Sequence, residues 1–314
     1  MSKFSIIKYS LKTMTDKAKA SREEIYLKGE KFSYLFFKGS ALQNPIIFFH
    51  ATGLNSRTYL KLLSKIFDSF DGKRSIYAFD QRGHGLSEAE ADFKKLKSWS
   101  QFSKEAISFL NSLDHESFDL MGHSMGGIVA SEIASQLKFK VKNLVMLEPV
   151  LYYAPEDVIK LKIKRLLQFR DFSASDKSLS AKKRRNNFVS LEQAIEHFTG
   201  RAMFVSWPEE SIRNYLEGGL VLREGGFFLS CDPAWEAKTF ETVTFDTYKF
   251  LKRAICPVLI VRGDKETSTF TEHAKKALLK KDKVLIEEHK GTHFIPIENA
   301  ELVSSRVFNF LNKD

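Results

Sequence analysis

The run Phe118-Asp-Leu-Met is apolar and strand-like, and it passes with no intervening loop into Gly122-His123-Ser124-Met125-Gly126 and then into a small-residue helix start, Gly127-Ile-Val-Ala-Ser-Glu-Ile-Ala. A chain can turn from strand to helix about one residue only through a strained conformation. Glycines at 122 and 126 remove the side chains that would otherwise strike neighbouring backbone. Ser124 therefore sits at the apex of a sharp turn, its hydroxyl lifted out of the sheet. The first amides of the following helix have no acceptor within the helix, so they and the positive end of its dipole lie beside that hydroxyl. This pattern predicts a mostly parallel sheet flanked by helices, with chemistry at the turn.

The rest of the chain alternates in the same way. Glu24 to Gly29 and Phe32 to Phe37 read as an early hairpin, and Pro45 to His50 as a buried strand too short for a helix. A helix is expected around Thr58 to Phe67, a strand over Arg74 to Asp80, a helix from about Ser98 to Leu113 and a strand over Val141 to Leu147. From about 150 to 245 the alternation stops and the segment reads as helices. Ile159, Ile163, Leu166 and Leu167 form one apolar face, expected to pack on the main domain. The sheet resumes over Cys256 to Gly263 and Lys283 to Glu287, and a helix from about Ala300 to Leu311 closes the chain. The expected organisation is an α/β core over 24–150 and 246–314, with a helical cap inserted at 151–245.

Composition removes several classes. Apolar residues make up 43% and charged residues 28%, a globular balance. No apolar run approaches the ~20 residues of a spanning helix, so no integral membrane segment is expected. The N-terminus has lysines but neither a continuous apolar stretch nor a cleavage site, and a cytoplasmic location is expected. Two cysteines, Cys231 and Cys256, offer no metal or disulfide spacing. The net charge of +10 includes a knot at Lys182-Lys183-Arg184-Arg185, read as a solvated face. No nucleic-acid motif accompanies it.

A serine hydroxyl is a poor nucleophile at neutral pH without a base, and the base needs an orienting acid. His293, in Gly291-Thr292-His293-Phe294 after the last predicted strand, is the candidate base. His50, His84 and His123 lie inside glycine-rich turns, where packing or a backbone hydrogen bond is their expected work. For the acid, Asp264 and Glu266 share the loop after Val258 to Val261, and Glu148 follows an earlier strand end. Glu266 is preferred for its spacing to His293, with Asp264 and Glu148 as alternatives. An oxyanion would be bound by two backbone amides. These are Met125, next after the nucleophile, and Thr52, in the small-residue loop His50-Ala51-Thr52-Gly53.

Together these motifs resemble the α/β-hydrolase family. His50-Ala-Thr-Gly53 is similar to its His-Gly-x-Gly oxyanion loop, Asp80-Gln-Arg-Gly-His-Gly-Leu-Ser87 to its Asp-x-Arg-Gly-x-Gly-x-Ser turn, and Gly291-Thr-His293 to its histidine loop. The resemblance covers roughly 25–150 and 255–311. It departs in having Glu266 where Gly-x-x-Asp is commoner. Serine at the elbow sets the chain apart from the haloalkane dehalogenase and epoxide hydrolase branches. The resemblance implies a serine hydrolase of carboxylic esters or related acyl bonds, acting through an acyl-enzyme with no cofactor and no metal. The same scaffold also resembles carbon–carbon bond hydrolases, cofactor-free oxygenases and perhydrolases, and a non-enzymatic ligand sensor is the other class to weigh. Tyr152, Tyr153, Phe169, Phe172, Phe198, Phe204, Trp207 and Trp235 in the cap lead to the expectation of a small hydrophobic ester as substrate.

Overall fold

In a computed structural model, the structure describes residues 19–41, 43–151, 159, 163, 176–244, 247–264, 275, 276 and 278–313. Among these, an eight-stranded sheet carries the fold, in the order β1-β2-β4-β3-β5-β6-β10-β11. Strands β1 (Ala20–Leu27) and β2 (Glu30–Phe37) form the expected hairpin, and Lys28 and Gly29 at its turn both have positive φ. A two-residue turn of that kind matches the natural twist of an antiparallel pair. Strand β2 is antiparallel to β4 (Ile76–Phe79). From β4 onward, β3 (Ile46–Phe49), β5 (Phe118–His123), β6 (Val141–Leu147), β10 (Val258–Gly263) and β11 (Val284–His289) run parallel. The central strands are apolar and buried along their length, as parallel strands covered on both faces must be.

Helix α1 (Leu60–Ser69) packs with the last helix over one face, with Leu62, Leu63 and Ile66 turned inward. Helices α2 (Ser100–Ser112) and α3 (Met125–Gln136) cover the other. Helix α3 is buried from Met125 to Ser135, which explains its small residues: it is enclosed by the sheet and by neighbouring helices and has no solvent face. At its start the backbones nearly touch. A Cβ on Gly126 would lie 2.0 Å from the Phe49 carbonyl oxygen, and one on Gly122 would lie 2.2 Å from that of Gly126.

The segment after β6 is not helical throughout. Helices α4 (Asp176–Lys182), α5 (Leu191–Phe198), α6 (Glu209–Glu217) and α7 (Pro233–Glu241) are joined by a small antiparallel sheet of β7 (Asn187–Phe188), β8 (Leu220–Arg223) and β9 (Gly226–Leu229). The cause is local. Leu220-Val-Leu and Phe227-Phe-Leu flank Glu224-Gly225, a two-residue hairpin turn with Gly225 at φ 91°, in runs too short to stand out in sequence.

Two further expectations are corrected. Ile159 and Ile163 are helical but 56% and 50% exposed, while Leu166 and Leu167 lie outside the described residues. Contact with the main domain is made instead by α6, which packs on the Ser56–Tyr59 turn and α1. In the basic knot Lys182, Lys183 and Arg185 are exposed, as expected of a solvated face, with Lys182 pairing with Glu241 at 2.9 Å and Arg185 reaching Gln193 at 3.1 Å; Arg184 departs from it by turning inward to pair with the buried Glu236 at 2.9 Å. Helix α8 (Thr247–Arg253) leads back to β10, and β11 is followed by the short α9 (Ile295–Glu298) and by α10 (Ala300–Leu311).

The contact at Gly126 predicts a steep cost for a single methyl group. Gly126→Ala must push α3 away from β3, and it should lose about 3 kcal/mol of unfolding free energy in a denaturant titration. A midpoint unchanged from the parent would contradict the close approach.

Candidate active site

Four strand ends converge at one edge of the sheet. At the end of β5, Ser124 adopts φ 53° and ψ −114°, a region that non-glycine residues rarely occupy. The turn is held by Ser124 N–H donating to the Leu147 carbonyl at 2.9 Å and by Gly127 N–H donating to the Ser124 carbonyl at 3.1 Å. Ser124 is 7% exposed, and its hydroxyl makes no hydrogen bond to a described residue. Strain of this kind persists only where the surroundings impose it, as the glycine contacts do here.

The next strand end supplies a carboxylate. Strands β5 and β6 pair with His123 opposite Leu147, so Glu148 emerges beside Ser124. Glu148 also has positive φ, 43°, and is fully buried. Its backbone N–H donates to the Val261 carbonyl at 2.8 Å, and its Oε1 accepts from the Gly263 amide. Its Oε2 lies 3.2 Å from Nδ1 of His293. With Nδ1–H directed at Glu148, Nε2 is the acceptor nitrogen of a neutral imidazole. Burial lowers the pKa of His293, the positive charge of Lys177 lowers it further, and Glu298 opposes them.

Asp264 stands elsewhere. Its carboxylate accepts from the Gly291 amide at 3.1 Å, so it braces the backbone of the histidine loop rather than the imidazole. Glu266 lies outside the described residues. The signal for Glu148 was present in sequence, since it directly follows a strand next in order to the elbow strand. Only the register of β5, β6 and β10 turns that into contact with His293.

The loop after β3 brings Thr52 to the first turn of α3, where its hydroxyl donates to Met125 Sδ at 3.3 Å. The residues nominated as oxyanion donors are therefore neighbours. Three buried histidines fix this loop, each used as a neutral group with one donor and one acceptor. His50 Nδ1 donates to the Ala51 carbonyl at 2.8 Å, and its Nε2 accepts from Gln81 N–H at 3.0 Å. His84 Nδ1 donates to the Arg82 carbonyl at 2.9 Å, and its Nε2 accepts from Gly53 N–H at 3.1 Å. His123 Nε2 donates to the His293 carbonyl at 2.8 Å, and its Nδ1 accepts from the Tyr59 hydroxyl at 2.6 Å, which in turn accepts from Ala51 N–H. Burial lowers the pKa of all three, to about 3 for His84 and His123. Asp80 anchors the adjoining turn by accepting from the amides of Ser56 and Leu86 and pairing with Arg22 at 2.6 Å.

The segment between β6 and β10 presses on the same loops. Trp235 Nε1 donates to the Arg82 carbonyl at 3.1 Å, and Asn55 Nδ2 donates to the Tyr215 carbonyl at 2.8 Å. The Glu236 carboxylate rests against Gly53, where a Cβ would lie 2.4 Å from its Oε1. Trp207 packs edge-on against Phe294, the neighbour of His293, at 5.3 Å between ring centres. Among the described residues no cluster of histidine, cysteine or carboxylate side chains is arranged to hold a metal.

Residues 46–306 match the family model described as the alpha/beta hydrolase family. The chain is similar to a putative esterase/lipase 2 of Mycoplasma pneumoniae, 25% identical over 82% of this chain and 85% of that protein. It is also similar to a serine hydrolase-like protein of Danio rerio, 23% identical over 87% and 83%. Among solved structures, an E-2-(acetamidomethylene)succinate hydrolase superposes with a TM-score of 0.73 at 21% identity, over 94% of this chain and all of that one. With the family match spanning most of its length and the strand order, elbow and histidine loop in place, the chain belongs to the alpha/beta hydrolase family.

Proposed function

We propose that the protein is a serine hydrolase that cleaves a carboxylic ester or a related activated acyl bond through an acyl-enzyme, with Ser124 as nucleophile, His293 as base and Glu148 as the orienting acid. The observation that carries this reading is the 3.2 Å contact between His293 Nδ1 and the buried Glu148, one strand away from the strained Ser124 turn. Relatives named as esterase/lipase and as serine hydrolase-like agree with it.

This reading implies a sequence of steps. Ser124 Oγ attacks the acyl carbon while its proton passes to His293 Nε2. The imidazolium that forms is held and compensated by Glu148 through Nδ1–H. The carbonyl oxygen becomes an oxyanion beside the amides of Met125 and Thr52, where the α3 dipole favours negative charge. His293 then returns the proton to the departing alcohol, and water repeats the cycle to release the acid. Because burial keeps His293 neutral, it is in the proton-accepting form well below the ordinary histidine range.

The aromatic side chains Phe198, Phe204, Trp207 and Trp235 are nearly all enclosed in packing, while Tyr152, Tyr153, Phe169 and Phe172 lie outside the described residues. Support for an apolar acyl wall therefore rests on Trp207 and Phe294 beside His293.

Two experiments test the reading. A fluorophosphonate should label the parent protein and leave Ser124→Ala unlabelled; equal labelling of both would remove Ser124 from the role. In steady-state ester hydrolysis, Glu148→Gln should lower kcat by about 100-fold or more while Glu266→Gln stays near the parent. The opposite ranking would assign the acid to Glu266.

A further inference from the structure

The loop Thr52-Gly53-Leu54-Asn55 is held from outside by two elements of the segment between β6 and β10. On one side, Glu236 of α7 rests against Gly53, so closely that a Cβ there would lie 2.4 Å from its Oε1. On the other, the end of α6 encloses the Asn55 side chain. Asn55 Nδ2 donates to the Tyr215 carbonyl at 2.8 Å, and a Cβ on Gly218 or Gly219 would lie 2.4 or 2.8 Å from the Asn55 amide atoms. Arg184 joins the two sides: Nη2 lies 2.9 Å from Glu236 Oε1, and Nη1 donates to the Tyr215 hydroxyl at 3.4 Å. Glu236, Asn55 and Tyr215 are buried, and Arg184 reaches them from the edge of the cap while Lys183 and Arg185 on either side stay exposed. Among the described residues Glu236 pairs with no other cation.

We infer that Arg184 is a positioning residue for the oxyanion loop: by holding Glu236 and Tyr215 at once, it fixes the segment that carries Thr52 and neutralises the carboxylate packed behind it. The inference rests on the reading of Ser124 as nucleophile and of the Thr52 amide as an oxyanion donor, and it adds what sets that donor in place. Two effects follow from the contacts. The first is geometric, since Gly53 directly follows Thr52 and any retreat of Glu236 frees the backbone on which the donor is carried. A displacement of about 1 Å in such a group costs a large factor in rate. The second is electrostatic. A buried carboxylate without a partner would oppose the negative charge that develops on the substrate oxygen, whereas the pair with Arg184 is neutral. A planar guanidinium can serve both partners because its nitrogens point in fixed, divergent directions. Both effects act on the transition state more than on the bound ester, so Arg184 governs turnover without touching substrate.

The test is steady-state hydrolysis of 4-nitrophenyl butyrate, expressed per reactive serine counted by end-point fluorophosphonate labelling, so that unfolded molecules drop out. Arg184→Met should lower kcat about 30-fold with KM changed by no more than about twofold. Arg184→Met/Glu236→Gln, which also removes the stranded carboxylate, should return kcat to within about 5-fold of the parent. Lys182→Met breaks the neighbouring pair with Glu241, which makes no contact with the loop, and should match the parent. A parent-like kcat in Arg184→Met, an equal fall in Lys182→Met, or a double variant no better than Arg184→Met would overturn the inference. If Arg184→Met yields no labelled protein, Arg184→Lys decides, because a lysine keeps a charge for Glu236 but cannot hold Tyr215 as well. A fall in kcat of about 5-fold at unchanged KM then supports the role, and a parent-like kcat refutes it. If the parent itself is neither labelled nor active, the hydrolase reading fails alone. The brace is then decided by amide hydrogen exchange over residues 52–55: faster exchange in Arg184→Lys than in Lys182→Met supports it, and equal exchange refutes it.

Discussion

The first turn of α3 lies against the end of β3 with no room for a side chain between them, and this contact organises everything at the edge of the sheet. Because Gly126 sits over the Phe49 carbonyl, the helix starts directly above the strand end, and Ser124 must take the positive φ that lifts its hydroxyl. The chain leaving Phe49 has to pass beside that helix start, so Thr52 meets Met125 without any dedicated loop design. One steric constraint thus sets the candidate nucleophile and both candidate oxyanion donors. The β5 to β6 register then places Glu148 beside them.

Buried imidazoles hold this arrangement together. His50, His84 and His123 each join two backbone or hydroxyl groups that belong to different loops, a task for which neutral histidine suits because it offers one donor and one acceptor at opposite corners of a rigid ring. Protonation would turn each acceptor nitrogen into a donor facing another donor. Their folded-state pKa values lie below those of an unfolded chain, so the stability they contribute is present at neutral pH and declines as pH falls below the ordinary histidine value.

How much of this was legible in sequence depended on how local the physics is. The elbow, the histidine loop and the strands flanking them were readable because glycine at 122 and 126 and short apolar bursts answer constraints within a few residues. The structural role of the three turn histidines was readable for the same reason. Glu148 ranked behind Glu266 because spacing along the chain says little about which strand end lies under the imidazole; that is decided by pairing between β6 and both β5 and β10. The small sheet of β7, β8 and β9 was missed since its runs are too short to show a period. The pairing of Arg184 with Glu236 joins residues distant in sequence, and no pattern in either segment announces it.

The central claim is that the His293 imidazole is oriented by Glu148 rather than by a carboxylate of the loop after β10. The Nδ1 proton of His293, shared with a buried carboxylate, should give a low-field resonance in the proton NMR spectrum of the resting protein. The account predicts that this resonance is present in the parent and in Glu266→Gln and is lost in Glu148→Gln. Its survival in Glu148→Gln together with its loss in Glu266→Gln would contradict the account.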